Sequence, residues 1–253
     1  MFDPKNLVNP HLDGDSFFEK RGGRGILLLH GLTATTNSVR PIANSLSELN
    51  WTTSAPLLPG HGDSLEKLSK TTWRDWAKRT EQCWHQLNEQ CDETFIVGES
   101  AGGLLALWLG CLQTIRPKSM VLVAPALQLN LKNWEKQMIW LLSLFKSSFP
   151  KAKKTRSLQW QGYSEHSLKA ILQLIDLQNL VLEILPQMQQ KILVFEGGHD
   201  DVISPEVSNL LRKRASRSEV QSILVKEAGH HPMLEQTSQK YVLSEIVNFL
   251  QNS

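Results

Sequence analysis

Short apolar runs recur along this chain, and between them lie stretches whose apolar residues return every three or four positions. Gly25 to His30, Thr94 to Val97, Ser119 to Ala124 and Lys191 to Glu196 are nearly unbroken runs, the pattern of strands covered on both faces. Ser16 to Glu19, followed by an Arg21-Gly22-Gly23-Arg24 turn, predicts a first strand, and Trp51 to Leu58 and Val220 to Lys226 predict two more. Helical spacing covers Asn37 to Leu49 and then Thr72 to Gln90, where Thr72-Trp73-Arg74-Asp75 has the character of a capping box. It returns from Leu104 to Leu112 and from Ser238 to Leu250. Ser204-Pro205-Glu206 reads as an N-cap with proline in the first helical position, so a helix is expected onward to Arg217. Strands alternating with helices predict an α/β domain on a doubly wound, mostly parallel sheet, with ligands at the strand C-termini. Residues 126–190 interrupt the alternation. They carry two helical patterns, Trp134 to Phe145 and Ser167 to Leu185, around a basic connection from Lys146 to Arg156. The expected organisation is a core of residues 1–125 and 191–253 with a helical insertion, 126–190, between its halves.

The strand predicted at Thr94 to Val97 runs into Gly98-Glu99-Ser100-Ala101-Gly102, which matches G-x-S-x-G, and an apolar helix follows. A serine forced into a tight strand-to-helix turn brings the residues two before and two after it too close for side chains, which explains glycine at both places. A helix starting at Ser100 aims its free N–H groups and positive dipole end at the serine.

Polar residues gather where such a sheet would present them. His30, Ser100, Asp200 and His230 each fall just past the end of a predicted strand. A serine hydroxyl is a poor nucleophile at neutral pH and needs an imidazole to take its proton. His230, in Ala228-Gly229-His230-His231, is the expected base, because Gly229 lets the chain approach the serine. The imidazole needs a carboxylate to fix its tautomer, and Asp200, in His199-Asp200-Asp201-Val202-Ile203, is the expected partner. Asp201 and His231 stay open as the neighbouring alternatives. The backbone N–H of Ala101 and that of Leu32, in the loop after His30-Gly31, are the expected oxyanion donors. His199, His230 and His231 with the two aspartates lack the spacing of a ligand motif such as H-E-x-x-H, so no metal and no cofactor are expected.

The 253 residues suit one domain with an insertion, and a net charge of +2 gives no reason to expect a nucleic-acid partner. Met1 to Lys20 lack the apolar stretch of a secretory signal, and no run reaches the roughly 18 residues of a membrane span. Cys83, Cys91 and Cys111 show no C-x-x-C spacing. Cys83 and Cys91 sit roughly 12 Å apart on the predicted helix, beyond disulfide reach, so free thiols and a cytoplasmic location are expected.

These residues together resemble the α/β-hydrolases, in particular the monoglyceride-lipase and small bacterial carboxylesterase branch. The likeness rests on Leu27-Leu28-Leu29-His30-Gly31-Leu32-Thr33, Leu58-Pro59-Gly60-His61-Gly62, the Ser100 elbow, His199-Asp200-Asp201-Val202-Ile203 and Ala228-Gly229-His230. It implies an α/β-hydrolase fold, a Ser100 nucleophile, a His230 base, an Asp200 orienter, Leu32 and Ala101 as oxyanion donors, and a cap formed by residues 126–190. It also implies cleavage of carboxylic esters with short or medium acyl chains, monoacylglycerols among them, by way of an acyl-enzyme. Thioesters, amides or C–C bonds are the alternatives on this fold, and a pocket that binds without catalysis is another. Gly-Glu-Ser-Ala-Gly is commoner in larger esterases with an HGGG loop, where this chain has His30-Gly31-Leu32-Thr33. Met138 to Phe145 could line an acyl pocket or meet a lipid surface beside Lys151, Lys153, Lys154 and Arg156; a helix packed on the core with a solvated basic loop is the preferred reading.

Overall fold

The computed structural model describes residues 7–112, 114–151 and 158–253; Lys153, Lys154 and Arg156 of the basic connection lie outside them. The apolar runs become β3 (Arg24–Leu29), β5 (Glu93–Glu99), β6 (Ser119–Val123) and β10 (Lys191–Gly197), the centre of a seven-stranded sheet. With β11 (Val220–Val225) at one edge, and β4 (Thr52–Ala55) then β2 (Phe17–Glu19) at the other, the strand order is β11-β10-β6-β5-β3-β4-β2. All of these pairings are parallel except that of β2 with β4.

The unbroken apolar runs follow from covering both faces. Ile26, Leu28, Phe95 and Val97 point to one side, where α1 (Arg40–Glu48) and α8 (Gln239–Gln251) bury Ile42, Leu46, Val242, Ile246 and Leu250. Leu27, Leu29 and Ile96 point to the other, against α3 (Trp73–Asn88), α4 (Ala101–Leu112) and α7 (Val207–Arg214). Each such side chain contributes about 1.5–3 kcal/mol when removed from water, so a one-residue slip in any central strand would forfeit several of them at once.

Helix starts follow local chemistry, with two departures. The Asp75 carboxylate accepts hydrogen bonds from the Thr72 N–H and hydroxyl, both at 2.8 Å, and opens α3 where the capping box predicts. α1 begins only at Arg40, after a 3-10 turn over Thr36–Val39, so that Pro41 sits in the first turn where no N–H is needed. The helix expected from Ser204-Pro205 begins instead at Val207. Ser204 N–H donates to Gln128 O at 2.8 Å and Ile203 bridges Leu129, so tertiary contacts hold this stretch as a turn until Val207. A short helix, α2 (Leu65–Lys70), capped by the Ser64 hydroxyl, is too brief to leave a periodic signal.

Residues 126–190 hold the two expected helices, α5 (Asn133–Ser143) and α6 (Leu168–Ile184), and also three short strands that the pattern does not show. β7 (Ser148–Pro150) pairs with β9 (Glu165–Ser167), and β8 (Gly162–Tyr163) pairs with β1 (Leu7–Val8), all antiparallel. α6 places Leu174, Leu177 and Val181 in the same apolar cluster as α4. α5 differs: none of its residues is buried, and Trp134, Trp140, Leu144 and Phe145 stand open along and just beyond it, Phe145 at 80% exposure. Packing on the core therefore holds for α6 and not for α5. Among the described residues no helix is long and apolar enough to cross a membrane.

Candidate active site

β5 ends at Glu99, α4 begins at Ala101, and Ser100 alone makes the turn, with φ of 52°. That left-handed conformation is costly for a residue with a Cβ, and the surroundings hold it: Ser100 N–H donates to Val123 O at 2.9 Å, and Ala126 N–H donates to Ser100 O at 3.0 Å. The flanking glycines are needed for space. A Cβ on Gly98 would lie 2.4 Å from Gly102 O, and one on Gly102 would lie 2.1 Å from Leu29 O. Gly102→Ala must push α4 away from β3, and is expected to cost about 3 kcal/mol in urea unfolding; a loss below 1 kcal/mol would mean the helix start yields freely.

Three of the four groups expected at the strand ends converge in one relay. Ser100 Oγ lies 3.1 Å from His230 Nε2, and His230 Nδ1 lies 2.9 Å from Asp200 Oδ2. The carboxylate fixes the ring's tautomer: Nδ1–H donates to Asp200, leaving Nε2 to accept from the serine hydroxyl. Asp200 Oδ1 accepts the N–H groups of Val202 at 2.8 Å and Ile203 at 3.0 Å, which holds it pointing at the ring. Burial works to raise the Asp200 carboxyl, but the bond and charge of His230 bring it below the ordinary value. Burial likewise disfavours the charged His230, and Asp200 outweighs it, lifting the imidazole above its ordinary 6.5. Asp201 is exposed at the loop surface, and His231 turns away to another carboxylate. His30 is not part of this relay. It donates from Nδ1 to Gly31 O at 2.9 Å and accepts Leu58 N–H on Nε2 at 3.0 Å, and burial lowers its pKa to about 4. A neutral, doubly bonded ring thus ties the loop that follows β4 to the loop after β3.

That loop carries Leu32, next to Thr33 at φ 64°, and its Gly31 comes so close to Ser100 that a Cβ there would lie 3.2 Å from the serine Cβ. Ala101 opens α4, so its N–H has no acceptor within the helix. The arrangement can therefore deprotonate a hydroxyl and offer it to an electrophile.

The segment 126–190 grips this same loop and the one that follows β4. Tyr163 N–H donates to Thr33 O at 2.8 Å, Ala34 bridges Gly162, and Tyr163 Oη donates to Gly60 O at 2.7 Å while accepting Asp63 N–H at 2.9 Å. Lys151 Nζ donates to Thr33 Oγ1 and lies 4.3 Å from the centre of the Trp160 ring; burial lowers its pKa to about 7. His166 is lowered to about 4, by burial first and then by the charges of Lys151 and His230.

The sequence profile described as "Serine aminopeptidase, S33" (Hydrolase_4) matches residues 23–237. The chain belongs to that family. It is 28% identical over 244 residues to a carboxylesterase of Bacillus subtilis (strain 168), covering 93% of this chain and 95% of that one. It is 26% identical over 231 residues to a thermostable monoacylglycerol lipase of Bacillus sp. (strain H-257), covering 89% and 90%. A solved structure from work on two metagenome-derived lipolytic enzymes, LipS and LipT, superimposes with a TM-score of 0.86 at 21% identity, covering 95% and 98%. Its likeness bears on the fold, which is that of the α/β-hydrolases.

Several groups around the family's elbow escape sequence reasoning. The Glu235 carboxylate accepts Gly229 N–H through both oxygens, at 3.0 and 2.9 Å, and so shapes the turn that carries His230. Glu99 meets His231, and Tyr163 and Lys151 reach in from far along the chain. Only the doublets Glu99-Ser100 and His230-His231 leave a trace in the sequence, as charged or titratable neighbours of the two expected residues.

Proposed function

We propose that this chain is a serine hydrolase that cleaves carboxylic esters of short or medium acyl chains, monoacylglycerols among them, through an acyl-enzyme. The observation that carries the reading is the relay Ser100–His230–Asp200 with its two bonds of 3.1 and 2.9 Å. The carboxylesterase and monoacylglycerol lipase names of its relatives support the choice of ester as the bond. As Ser100 Oγ attacks the ester carbon, its proton passes to His230 Nε2, and Asp200 stabilises the imidazolium. The carbonyl oxygen takes the negative charge and is met by the N–H groups of Leu32 and Ala101. Collapse breaks the bond to the alcohol oxygen, which leaves with the proton from His230. Water then gives a proton to His230 as it attacks the acyl-enzyme, and Ser100 recovers its proton as the acid departs.

Residues 126–190 act in this reading as a cap over the site, and the apolar residues of α5 favour an apolar acyl group. The unpaired Cys83, Cys91 and Cys111 support a cytoplasmic place of action. The test is labelling with a fluorophosphonate probe followed by a chain-length series of p-nitrophenyl esters. Covalent labelling at Ser100 and turnover of short and medium chains are expected. A folded protein that takes no label and turns over no ester would instead be a binding protein.

A further inference from the structure

The two loops that meet at the site are joined twice. Ser100 Oγ reaches His230 Nε2 at 3.1 Å, and the adjacent residues, Glu99 and His231, are joined through Oε1 and Nδ1 at 2.9 Å. The second joint is built where charge is expensive. Glu99 is 0% exposed. A carboxylate so placed is tolerated only where partners repay the loss of water. Burial pushes its pKa up, but the bond and charge of His231, with Ser38 and His230 adding to them, bring it below the ordinary value. Glu99 is thus an ionised carboxylate one residue from the nucleophile, and the reaction steps above do not use it.

The surroundings direct that charge at His230. From β5 and the loop after β3, Glu99 faces His30; from the loop after β11 it faces His231 and His230. His231 has the His230 ring edge-on at 4.9 Å, the Trp160 ring at 5.8 Å, and Glu235 holding its backbone N–H at 3.3 Å. The charges of Asp200 and Asp201 also act on His230. The Ser100–His230 bond alone fixes a distance between the two loops and leaves the loops free to turn about it. Two bonds, from neighbouring residues on each loop, fix that rotation as well.

We infer that Glu99 and His231 are positioning residues that clamp the turn carrying His230 to the nucleophile elbow, with the Glu99 charge favouring the imidazolium that forms when His230 takes the serine proton. The inference rests on the ester-hydrolase reading of Ser100, His230 and Asp200. It explains why a charged residue occupies the buried position before the nucleophile, which a purely apolar side chain would fill at lower cost.

The experiment measures kcat, KM and the pH profile of kcat/KM on a p-nitrophenyl ester for E99Q, H231A and H231N. Gln keeps an oxygen for His231 and removes the charge. Asn keeps a donor near the place of Nδ1 and so serves as the conservative rescue of H231A. E99Q is expected to lower kcat about tenfold with KM unchanged, and to move the acid limb about one pH unit lower, because loss of a nearby negative charge disfavours the imidazolium. H231A is expected to lower kcat about a hundredfold, since an ångström of misalignment has that effect, and H231N to recover most of it. If E99Q and H231A both keep the wild-type kcat and acid limb, whatever their melting temperatures, the inference is overturned. Fluorophosphonate labelling of the unaltered protein separates the two failures. An unlabelled wild type sinks the hydrolase reading itself, whereas a labelled wild type beside variants with unchanged kcat and acid limb sinks only the clamp.

Discussion

Ser100→Ala is expected to lower kcat for p-nitrophenyl esters by about a millionfold while leaving the protein folded. The lost oxygen makes one hydrogen bond, to His230 Nε2 at 3.1 Å; its removal leaves that nitrogen without its donor, while Nδ1 keeps Asp200. Alanine meets the same steric objection to φ of 52° that serine does, so the turn gains and loses little, and unfolding free energy should stay within about 1 kcal/mol of wild type. The Leu32 and Ala101 N–H groups remain, so a residual rate about a thousandfold above water is expected even without the nucleophile. Parallel thermal unfolding and ester assays check both halves. Undiminished hydrolysis by a folded Ser100→Ala protein would take Ser100 out of the reaction.

What the sequence discloses and what it hides divide along the range of the interactions. The elbow is legible because its signature sits within five residues, although only one glycine is demanded from inside them: a Cβ on Gly98 would meet Gly102 O at 2.4 Å, and one on Gly102 would meet Leu29 O of β3 at 2.1 Å. The central strands are legible because burial on both faces writes an unbroken apolar run, as in Leu27-Leu28-Leu29. The opening of α3 is legible because Asp75 folds back on Thr72 three residues away. The start at Ser204-Pro205 misleads for the opposite reason, since its local cap chemistry yields to the bond that Ser204 N–H donates to Gln128 O on a distant loop. β1 and β8 are two residues each and find one another across more than half the chain, with Leu7 opposite Tyr163, so neither leaves a periodic mark. The pairing of Glu99 with His231 depends on the register of two loops, which no spacing within either loop encodes. The choice between Asp200 and Asp201 lies between these cases: the doublet is visible in sequence, and the N–H groups of Val202 and Ile203 select its first member by gripping that side chain.

Asp200→Asn should retain the shape of the site and lose most of its rate, with kcat falling about ten-thousandfold. The amide offers His230 Nδ1 a donor as readily as an acceptor, and a donor there forces the ring proton to Nε2, the atom that must be bare to receive the serine proton. The sign of the pH effect follows from the same pair. Asp200 and its bond raise the His230 pKa above 6.5, so in the wild type the base becomes competent only as pH climbs through a value higher than an ordinary imidazole's, and kcat/KM is lost as pH falls through it. Without the negative charge the imidazolium is less stable, its pKa drops, and the acid limb of the remaining activity must move to lower pH even as the plateau sinks. A low plateau with an unmoved limb would mean that some group other than His230 sets the acid limb. The decisive contrast is with E99Q, which carries the same loss of charge but leaves the Nδ1 partner in place. Both variants should shift the limb in the same direction, and only Asp200→Asn should collapse kcat, because only there is the proton put on the wrong nitrogen.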